Sequence, residues 1–173
     1  GSFDPIHLGH LILAVEAAEA ADLATVVLIP ARQSPLKTQG PVLSDADRLT
    51  MVQTAVAPYP ILQVWDGELR RNGPSFSLDT ALAWRQRAPE AELCWILGAD
   101  QVADLHRWHN IESLADLVTF LAMQRDDDAV PAAPAIAGLR LETITTRRID
   151  LSSTETRQRQ RDGRPFRHLL PPG

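Results

Sequence analysis

The stretch Gly1-Ser2-Phe3-Asp4-Pro5-Ile6-His7-Leu8-Gly9-His10 opens the chain and leads directly into an apolar segment, residues 11–21, that is typical of a helix. It places a glycine, two imidazoles and backbone N–H groups where that helix begins. Because a helix N-terminus combines unsatisfied N–H donors with the positive end of the helix dipole, this arrangement suits an anion and above all a polyphosphate. The residues alone leave a second interpretation open, in which His7 and His10 are ordinary surface histidines.

Segments typical of strands and of helices alternate along the rest of the chain. The predicted strands are the apolar or β-branched runs at 25–29, 61–65, 93–99, 118–122 and 139–144. The predicted helices cover 48–57, 77–88, 101–106 and 111–117, with a further helix opening at 152. Loops are expected at 31–43, 66–76 and 126–138. The alternation predicts an α/β fold, a Rossmann-like doubly wound parallel sheet in a single domain over residues 1–173.

Serine side chains mark three of the predicted helix starts. Ser44 with Asp47 precedes the helix at 48–57, and Ser77 is predicted to cap the helix that it opens. The third start lies in Ser152-Ser153-Thr154-Glu155-Thr156-Arg157. This segment has two compatible interpretations. One is a capping box of Ser152 with Glu155, and the other is a second helix N-terminus that binds phosphate, with Arg157 one turn further as an anion clamp.

Composition excludes several classes of protein. The 173 residues carry a net charge of -5, which argues against a general nucleic-acid binder, and 45% are hydrophobic, which is enough for a core. A single cysteine, Cys94, lies inside an apolar run, so we expect a buried thiol and no disulfide framework. Because neither a signal peptide nor an apolar stretch of the ~20 residues needed to span a membrane is visible, we expect a cytosolic protein without membrane contact.

Two further segments carry candidate binding residues. Gly98-Ala99-Asp100 follows the most strongly predicted strand, and ligands of open α/β sheets bind outside the carboxyl ends of the strands. Asp100 could therefore accept a hydrogen bond from a ribose, although a helix N-cap explains it as well. Trp108 has polar and basic neighbours, which favours a partly exposed ring that could stack on a flat heterocycle. Among the scattered basic residues, Arg48 stands out because it opens a helix after a loop that follows a strand.

Taken together, these segments resemble the nucleotidyltransferases with a histidine-any-glycine-histidine signature, and most closely the bacterial nicotinate-nucleotide adenylyltransferases. The segments that match in order are residues 1–10, Ile29-Pro30 with Pro35 and Lys37, Asn72-Gly73-Pro74-Ser75-Phe76-Ser77, Leu97-Gly98-Ala99-Asp100 with Trp108, and Ser152-Ser153-Thr154 with Arg157. The resemblance covers nearly the whole chain. Phe76 and His109 stand where the family often has tyrosine.

The resemblance implies how ATP is held. His7 and His10 would bind the phosphates, with His10 stabilising charge on the α-phosphate, and the turn formed by Gly1, Ser2 and Phe3 would also lie against ATP. Ser153, Thr154 and Arg157 would bind the β- and γ-phosphates. Gly98 and Asp100 would lie against the adenosine. His10, His7 and Arg157 are the candidate catalytic residues.

The resemblance also implies a pyridine mononucleotide as the second substrate. Trp108 would stack on the pyridine ring, and Ser77 with its backbone would meet the nicotinate carboxylate. Lys37, Arg48 and Arg125 are weaker candidates for the same substrate. No metal site made of side chains is predicted, because His7 and His10 lack a third ligand and the i, i+4 spacing of a helical zinc pair. Mg²⁺ would be bridged by the phosphates.

The implied reaction is adenylyl transfer from ATP to nicotinate mononucleotide, giving deamido-NAD and pyrophosphate. A pantetheine-phosphate adenylyltransferase and a nucleotide-binding module without catalysis remain open alternatives, as does assembly into a homo-oligomer. A phosphate turn of this kind normally follows a strand, and the family generally continues into a last helix. We therefore expect this first strand and this last helix to lie outside residues 1–173.

Overall fold

The computed structural model describes residues 1–36, 39–125 and 130–172, with Arg125 described by its backbone alone. The chain divides into two compact units, which we call unit 1 (Gly1–Ser75 and Ile149–Gly173) and unit 2 (Phe76–Arg148). Each unit contains parallel strands and helices. The predicted α/β class with parallel pairing is thus confirmed, and the single domain stays a prediction.

The described helices and strands follow the predicted order, with two additional short helical segments at 67–70 and 167–169. The helices are α1 Leu8–Ala20, α2 Asp45–Val56, α3 Gly67–Arg70, α4 Ser77–Arg87, α5 Ile111–Leu117 and α6 Ser153–Arg161. The strands are β1 Val26–Leu28, β2 Leu62–Val64, β3 Cys94–Gly98, β4 Thr119–Arg125 and β5 Leu141–Thr146. Two 3₁₀ segments cover Ala99–Arg107 and Arg167–Leu169. Each helix in the described part of the chain is too short or too polar to cross a membrane.

Unit 1 is organised around the parallel pair β1 and β2, whose register joins Val26 to Leu62 and Leu28 to Val64. Parallel neighbours need a crossover connection, and α2 supplies it. The start of α2 agrees with the prediction, because the Ser44 side chain caps it by accepting a hydrogen bond from the Asp47 N–H. The opening residue lies beside the end of β1, where Gly1 donates to the Ile29 carbonyl and accepts from the Ala31 N–H, both at 2.7 Å.

Unit 2 contains a parallel sheet in the order β3-β4-β5, with Cys94 paired to Thr119 and Phe120 to Leu141. Its core is built from apolar side chains of the sheet, the first 3₁₀ segment and helices α4 and α5. The most deeply buried members are Val102, Leu105, Leu114, Ala115, Phe120 and Ala122. The predicted short helix at 101–106 is present as the longer 3₁₀ segment.

The structure corrects two local predictions. Ser77 does not cap α4; it is the first helical residue, and Phe76 occupies the N-cap position with an extended backbone and no side-chain cap. The expected loop at 66–76 contains the one-turn helix α3, where Arg70 donates two hydrogen bonds to the Asp66 carboxylate at 2.8 and 2.5 Å. These bonds to Arg70 lower the pKa of Asp66. The expected loops at 31–43 and 126–138 contain neither helix nor strand in their described residues.

A matched pair of leucine substitutions tests the core of unit 2. Leu114 on α5 is fully buried, whereas Leu82 on α4 is 44% exposed. We expect Leu114→Ala to lower the free energy of unfolding by about 2–5 kcal/mol, because it removes buried methyl groups and leaves a cavity. Leu82→Ala should cost well under half as much. Urea unfolding followed by circular dichroism measures both, and equal losses would contradict this description of the core.

Candidate active site

The two histidines of the opening stretch lie against each other at the start of α1. His7 is the N-cap residue, and its backbone N–H donates to His10 Nδ1 at 3.1 Å. The two rings stack, with 3.7 Å between centroids and 27° between planes. Because Nδ1 of His10 accepts this bond, a neutral His10 carries its proton on Nε2. His10 can therefore donate a hydrogen bond from Nε2.

His7 is buried, with 6% of its surface exposed. Burial disfavours the charged imidazolium and lowers the pKa of His7 from its ordinary value of 6.5 to about 4. Gly9 makes this packing fit, because a Cβ there would lie 3.0 Å from His7 Nδ1 and 3.2 Å from Ile149 Cγ2. His7 is therefore neutral near pH 7.

Phe3 has a left-handed backbone conformation, with φ of 43°. Its ring meets the His10 ring edge-on, with 5.0 Å between the centroids and 72° between the planes. A bulky residue with positive φ is uncommon, and such residues concentrate at functional sites where the surrounding structure holds them. The turn formed by Gly1, Ser2 and Phe3 is thus held in an unusual shape next to His10.

Asp4 connects three segments of unit 1. Its carboxylate is buried and accepts from the backbone N–H groups of Val42 and Leu43, each at 2.9 Å. It also forms an ion pair with Arg157 Nη1 at 3.3 Å. Sequence reasoning missed Asp4, although it lies within the opening stretch, because its partners are distant along the chain.

Helix α6 presents its N-terminus to the opening stretch. Ser152 caps it by accepting from the Glu155 N–H at 3.1 Å, as the sequence predicts. The Ser153 hydroxyl donates to the Pro5 carbonyl at 2.8 Å, and Arg157 donates both to the Asp4 carbonyl and to Thr154 Oγ1, the latter at 3.3 Å. The structure therefore brings together the two segments in which the sequence predicts phosphate binding.

The chemistry of this junction is that of an anion site. Helix geometry leaves the N–H groups of Ser153 and Thr154 without an intrahelical acceptor, and the helix dipole is positive there. The Arg157 guanidinium and the Nε2–H of His10 supply further donors. Among the described residues, no group of three or more His, Cys, Asp or Glu side chains is placed to hold a metal ion.

Arg48 occupies a different position from the one that the sequence suggests. Its side chain is fully buried and donates to the Ser2 carbonyl at 2.6 Å and to Asp45 Oδ1 at 2.5 Å. The guanidinium thus contacts the protein rather than a surface that a substrate could reach. Lys37 lies outside the described residues, and so does the side chain of Arg125.

The remaining predicted residues belong to unit 2. Gly98 ends β3, and a Cβ there would lie 2.5 Å from Asp100 Oδ1, so the glycine makes room for that carboxylate. Trp108 is half-buried, and its ring meets those of Trp95 and Phe120 edge-on at 6.2 Å. Its Nε1 atom is buried without a hydrogen-bond partner among the described residues.

A stacked pair of rings joins the two predicted pyridine-binding segments within unit 2. Phe76, which precedes Ser77, stacks on His109, which follows Trp108, with 4.3 Å between centroids and 28° between planes. The start of α4 and the Trp108 segment are therefore neighbours. Sequence reasoning did not predict this contact, and the only available signal was the aromatic character of both positions.

A family model and several known proteins are similar to this chain over most of its length. The family model described as Cytidylyltransferase-like matches residues 1–159. A protein from Opitutus terrae named "Probable nicotinate-nucleotide adenylyltransferase" is 39% identical over 99% of this chain and 88% of its own length. A protein of the same name from Gemmatimonas aurantiaca is 40% identical over 99% of this chain and 83% of its own length.

The fold has a counterpart among solved structures. The Plasmodium falciparum nicotinic acid mononucleotide adenylyltransferase complexed with NaAD superposes with a TM-score of 0.69 at 17% identity. The alignment covers 91% of this chain and 80% of that protein. At this identity the likeness concerns the fold.

The depressed pKa of His7 predicts a pH dependence of stability. Since the folded-state pKa of about 4 lies below the ordinary 6.5, the unfolded chain binds a proton more readily between these values. The contribution of His7 to the free energy of unfolding should therefore be fully present above pH 6.5. It should be lost as the pH falls through 4, a loss of about 3 kcal/mol. Urea unfolding of wild type and His7→Gln between pH 7 and 4 isolates the contribution, and parallel curves would refute it.

Proposed function

The chain belongs to the cytidylyltransferase-like family, and on that premise we propose that it transfers the adenylyl group of ATP to nicotinate mononucleotide. The products are deamido-NAD and pyrophosphate. An oxygen of the mononucleotide 5′-phosphate forms a bond to the α-phosphorus of ATP, and the bond from that phosphorus to the oxygen that bridges to the β-phosphate breaks. Pyrophosphate leaves with the electron pair.

One observation carries this proposal, the junction of the opening stretch with the N-terminus of α6 in unit 1. Ser153 and Arg157 contact the carbonyl groups of Pro5 and Asp4, so the two predicted phosphate segments are parts of one structure. Phosphoryl and nucleotidyl transfer depend mainly on positioning and charge stabilisation rather than on a covalent enzyme intermediate. A rigid set of donors beside a helix N-terminus supplies both.

His10 is proposed to act as the donor to the reacting phosphate. Its Nδ1 accepts from the His7 N–H, so a neutral ring carries its proton on Nε2, and that N–H would donate to an oxygen of the α-phosphate, where negative charge accumulates in the transition state. His7 supports it as a neutral, buried and stacked neighbour. Arg157, Ser153 and Thr154 are proposed to hold the β- and γ-phosphates together with the turn at Gly1, Ser2 and Phe3.

Mg²⁺ is proposed to accompany ATP. The donors at the junction are N–H and hydroxyl groups, which suit phosphate oxygens, and Mg²⁺ in nucleotide sites is commonly held by substrate phosphates and water. The ion would neutralise charge on the phosphates. The side chains of this chain would then orient the phosphates rather than ligate the metal.

The residues of unit 2 are proposed to recognise the adenosine of ATP and the nicotinate group of the mononucleotide. Gly98 ends β3 and Asp100 lies two residues further, in the first 3₁₀ segment, where a carboxylate could accept a hydrogen bond from a ribose hydroxyl. The uncapped start of α4 at Ser77 offers N–H groups to the nicotinate carboxylate, and Trp108 offers its ring to the pyridine. Lys37 and Arg125 remain proposed contacts of the mononucleotide. A cytosolic location and a homo-oligomeric assembly also stay predictions.

Replacing the proposed donor tests the chemistry. We expect His10→Ala to lower kcat by about 10²–10³-fold, the usual effect of removing one preorganised donor to a charged transition state. Pyrophosphate release with ATP and nicotinate mononucleotide measures it. His168→Ala, at an exposed histidine of the second 3₁₀ segment, is the matched control and should keep wild-type turnover. Near-normal turnover of His10→Ala would overturn the assignment.

The nature of the pyridine substituent provides a second test. The proposed site offers N–H donors to a carboxylate. The amide NH₂ of nicotinamide mononucleotide is itself a donor, so one of these N–H groups would be left without an acceptor. We expect kcat/KM for the amide to be lower by at least about 10²-fold. The same pyrophosphate assay with both mononucleotides measures the ratio, and equal values would contradict the proposed carboxylate contact at Ser77.

A further inference from the structure

Arg48 is a fully buried charge for which the proposed reaction has no direct use. Removing a guanidinium from water costs several kcal/mol, and apolar side chains of similar volume often fill such positions without loss of stability. Its Nε has no hydrogen-bond partner among the described residues, so the burial is not fully compensated. The two bonds that Arg48 does make must therefore account for its presence.

Those two bonds join α2 to the opening turn. Nη2 binds Asp45 on the same helix at 2.5 Å, which offsets the charge and orients the guanidinium. Nη1 then reaches the Ser2 carbonyl at 2.6 Å, across 46 positions of sequence. The Arg48 side chain thus connects α2 to the Ser2 carbonyl oxygen through a guanidinium that Asp45 holds in place.

The Ser2 carbonyl and the Phe3 N–H belong to the same peptide unit. Because a trans peptide is planar, its C=O and N–H point in opposite directions, and fixing one fixes the other. The Phe3 backbone is in the left-handed region, which the chain does not hold without outside support. The bond from Arg48 constrains the peptide plane between Ser2 and Phe3, in which the carbonyl oxygen faces the guanidinium and the Phe3 N–H points the opposite way.

We propose that Arg48 is a positioning residue, which aims the Phe3 N–H at the bound phosphates by holding the Ser2 carbonyl. The inference rests on the proposed function, in which the turn at Gly1, Ser2 and Phe3 binds ATP. It replaces direct contact of Arg48 with the mononucleotide by an indirect role. Asp45 is the partner that keeps the guanidinium in place.

The test compares Arg48→Lys and Arg48→Met with the same substitutions at Arg85. Arg85 is a suitable control, because in unit 2 it also donates to backbone carbonyls, those of Pro89, Ala91 and Leu117. We expect Arg48→Met to lower kcat by about 10²-fold, because a misplaced Phe3 N–H no longer meets the phosphates in the reactive geometry. The kcat of Arg48→Lys should lie between those of Arg48→Met and the wild type. The KM for nicotinate mononucleotide should stay near its wild-type value. The Arg85 variants should lose stability without losing turnover per folded molecule.

Nuclear magnetic resonance gives a readout that a purely structural role would not move. Titrating wild type with ATP should shift the Phe3 amide resonance, and the shift should be lost or strongly reduced in Arg48→Met. Where Arg48→Met does not fold, Arg48→Lys takes its place and should show a partial shift. Thermal melting of every variant converts the rates to turnover per folded molecule.

The results separate the inference from the proposed function. The positioning role would be overturned if folded Arg48→Met turned over at the wild-type rate. It would also be overturned if Arg48→Met and Arg85→Met, at equal melting temperature, lost the same fraction of their turnover. If the wild type does not convert ATP and nicotinate mononucleotide, the proposed function fails. The ATP titration alone then tests whether Arg48 positions the Phe3 N–H. A Phe3 shift in wild type that Arg48→Met lacks would then support the inference, and an absent or unchanged shift would overturn it.

Discussion

The proposed phosphate site in unit 1 depends on hydrogen bonds from distant side chains to the backbone carbonyls of residues 2–5. Arg48 holds the Ser2 carbonyl, Arg157 holds that of Asp4, and the Ser153 hydroxyl holds that of Pro5. Each bond fixes a peptide plane, and therefore also the direction of the next N–H group where one exists. A short segment without regular secondary structure thus acquires a defined set of donors before any ligand arrives. Preorganised donors of this kind stabilise developing charge without reorganising during the reaction.

The local parts of this architecture could be predicted from sequence, because their causes are local. The caps at Ser44 and Ser152 involve residues three positions apart, and β3 follows from one continuous apolar run. The helix α3 was missed because a single turn leaves no periodicity, and its Asp66–Arg70 pair is recognisable only once the turn exists. Ser77 was misassigned by one position, since many side chains that can cap also fit the first helical turn.

The long-range parts could not be predicted in the same way. The sequence contains 17 lysines and arginines, and nothing in its pattern separates a buried arginine from a solvated one. The sequence predicts Arg48 as a contact of the mononucleotide, yet tertiary packing places it in the interior with Ser2 and Asp45. Asp4 gave no signal, because its partners, Val42, Leu43 and Arg157, become neighbours only in the folded chain. The family resemblance found the opening stretch without showing what supports it.

The absence of a side chain at Gly9 determines how His7 packs, and through that packing the protonation state of His7. Gly9 has no Cβ, so the His7 ring can pack where any other residue would place an atom 3.0 Å from its Nδ1. That packing buries His7, and burial lowers its pKa to about 4. A neutral His7 can stack on His10 without like-charge repulsion, while its N–H fixes the tautomer of the same ring. Gly9 therefore affects the protonation of His7 as well as the shape of the turn.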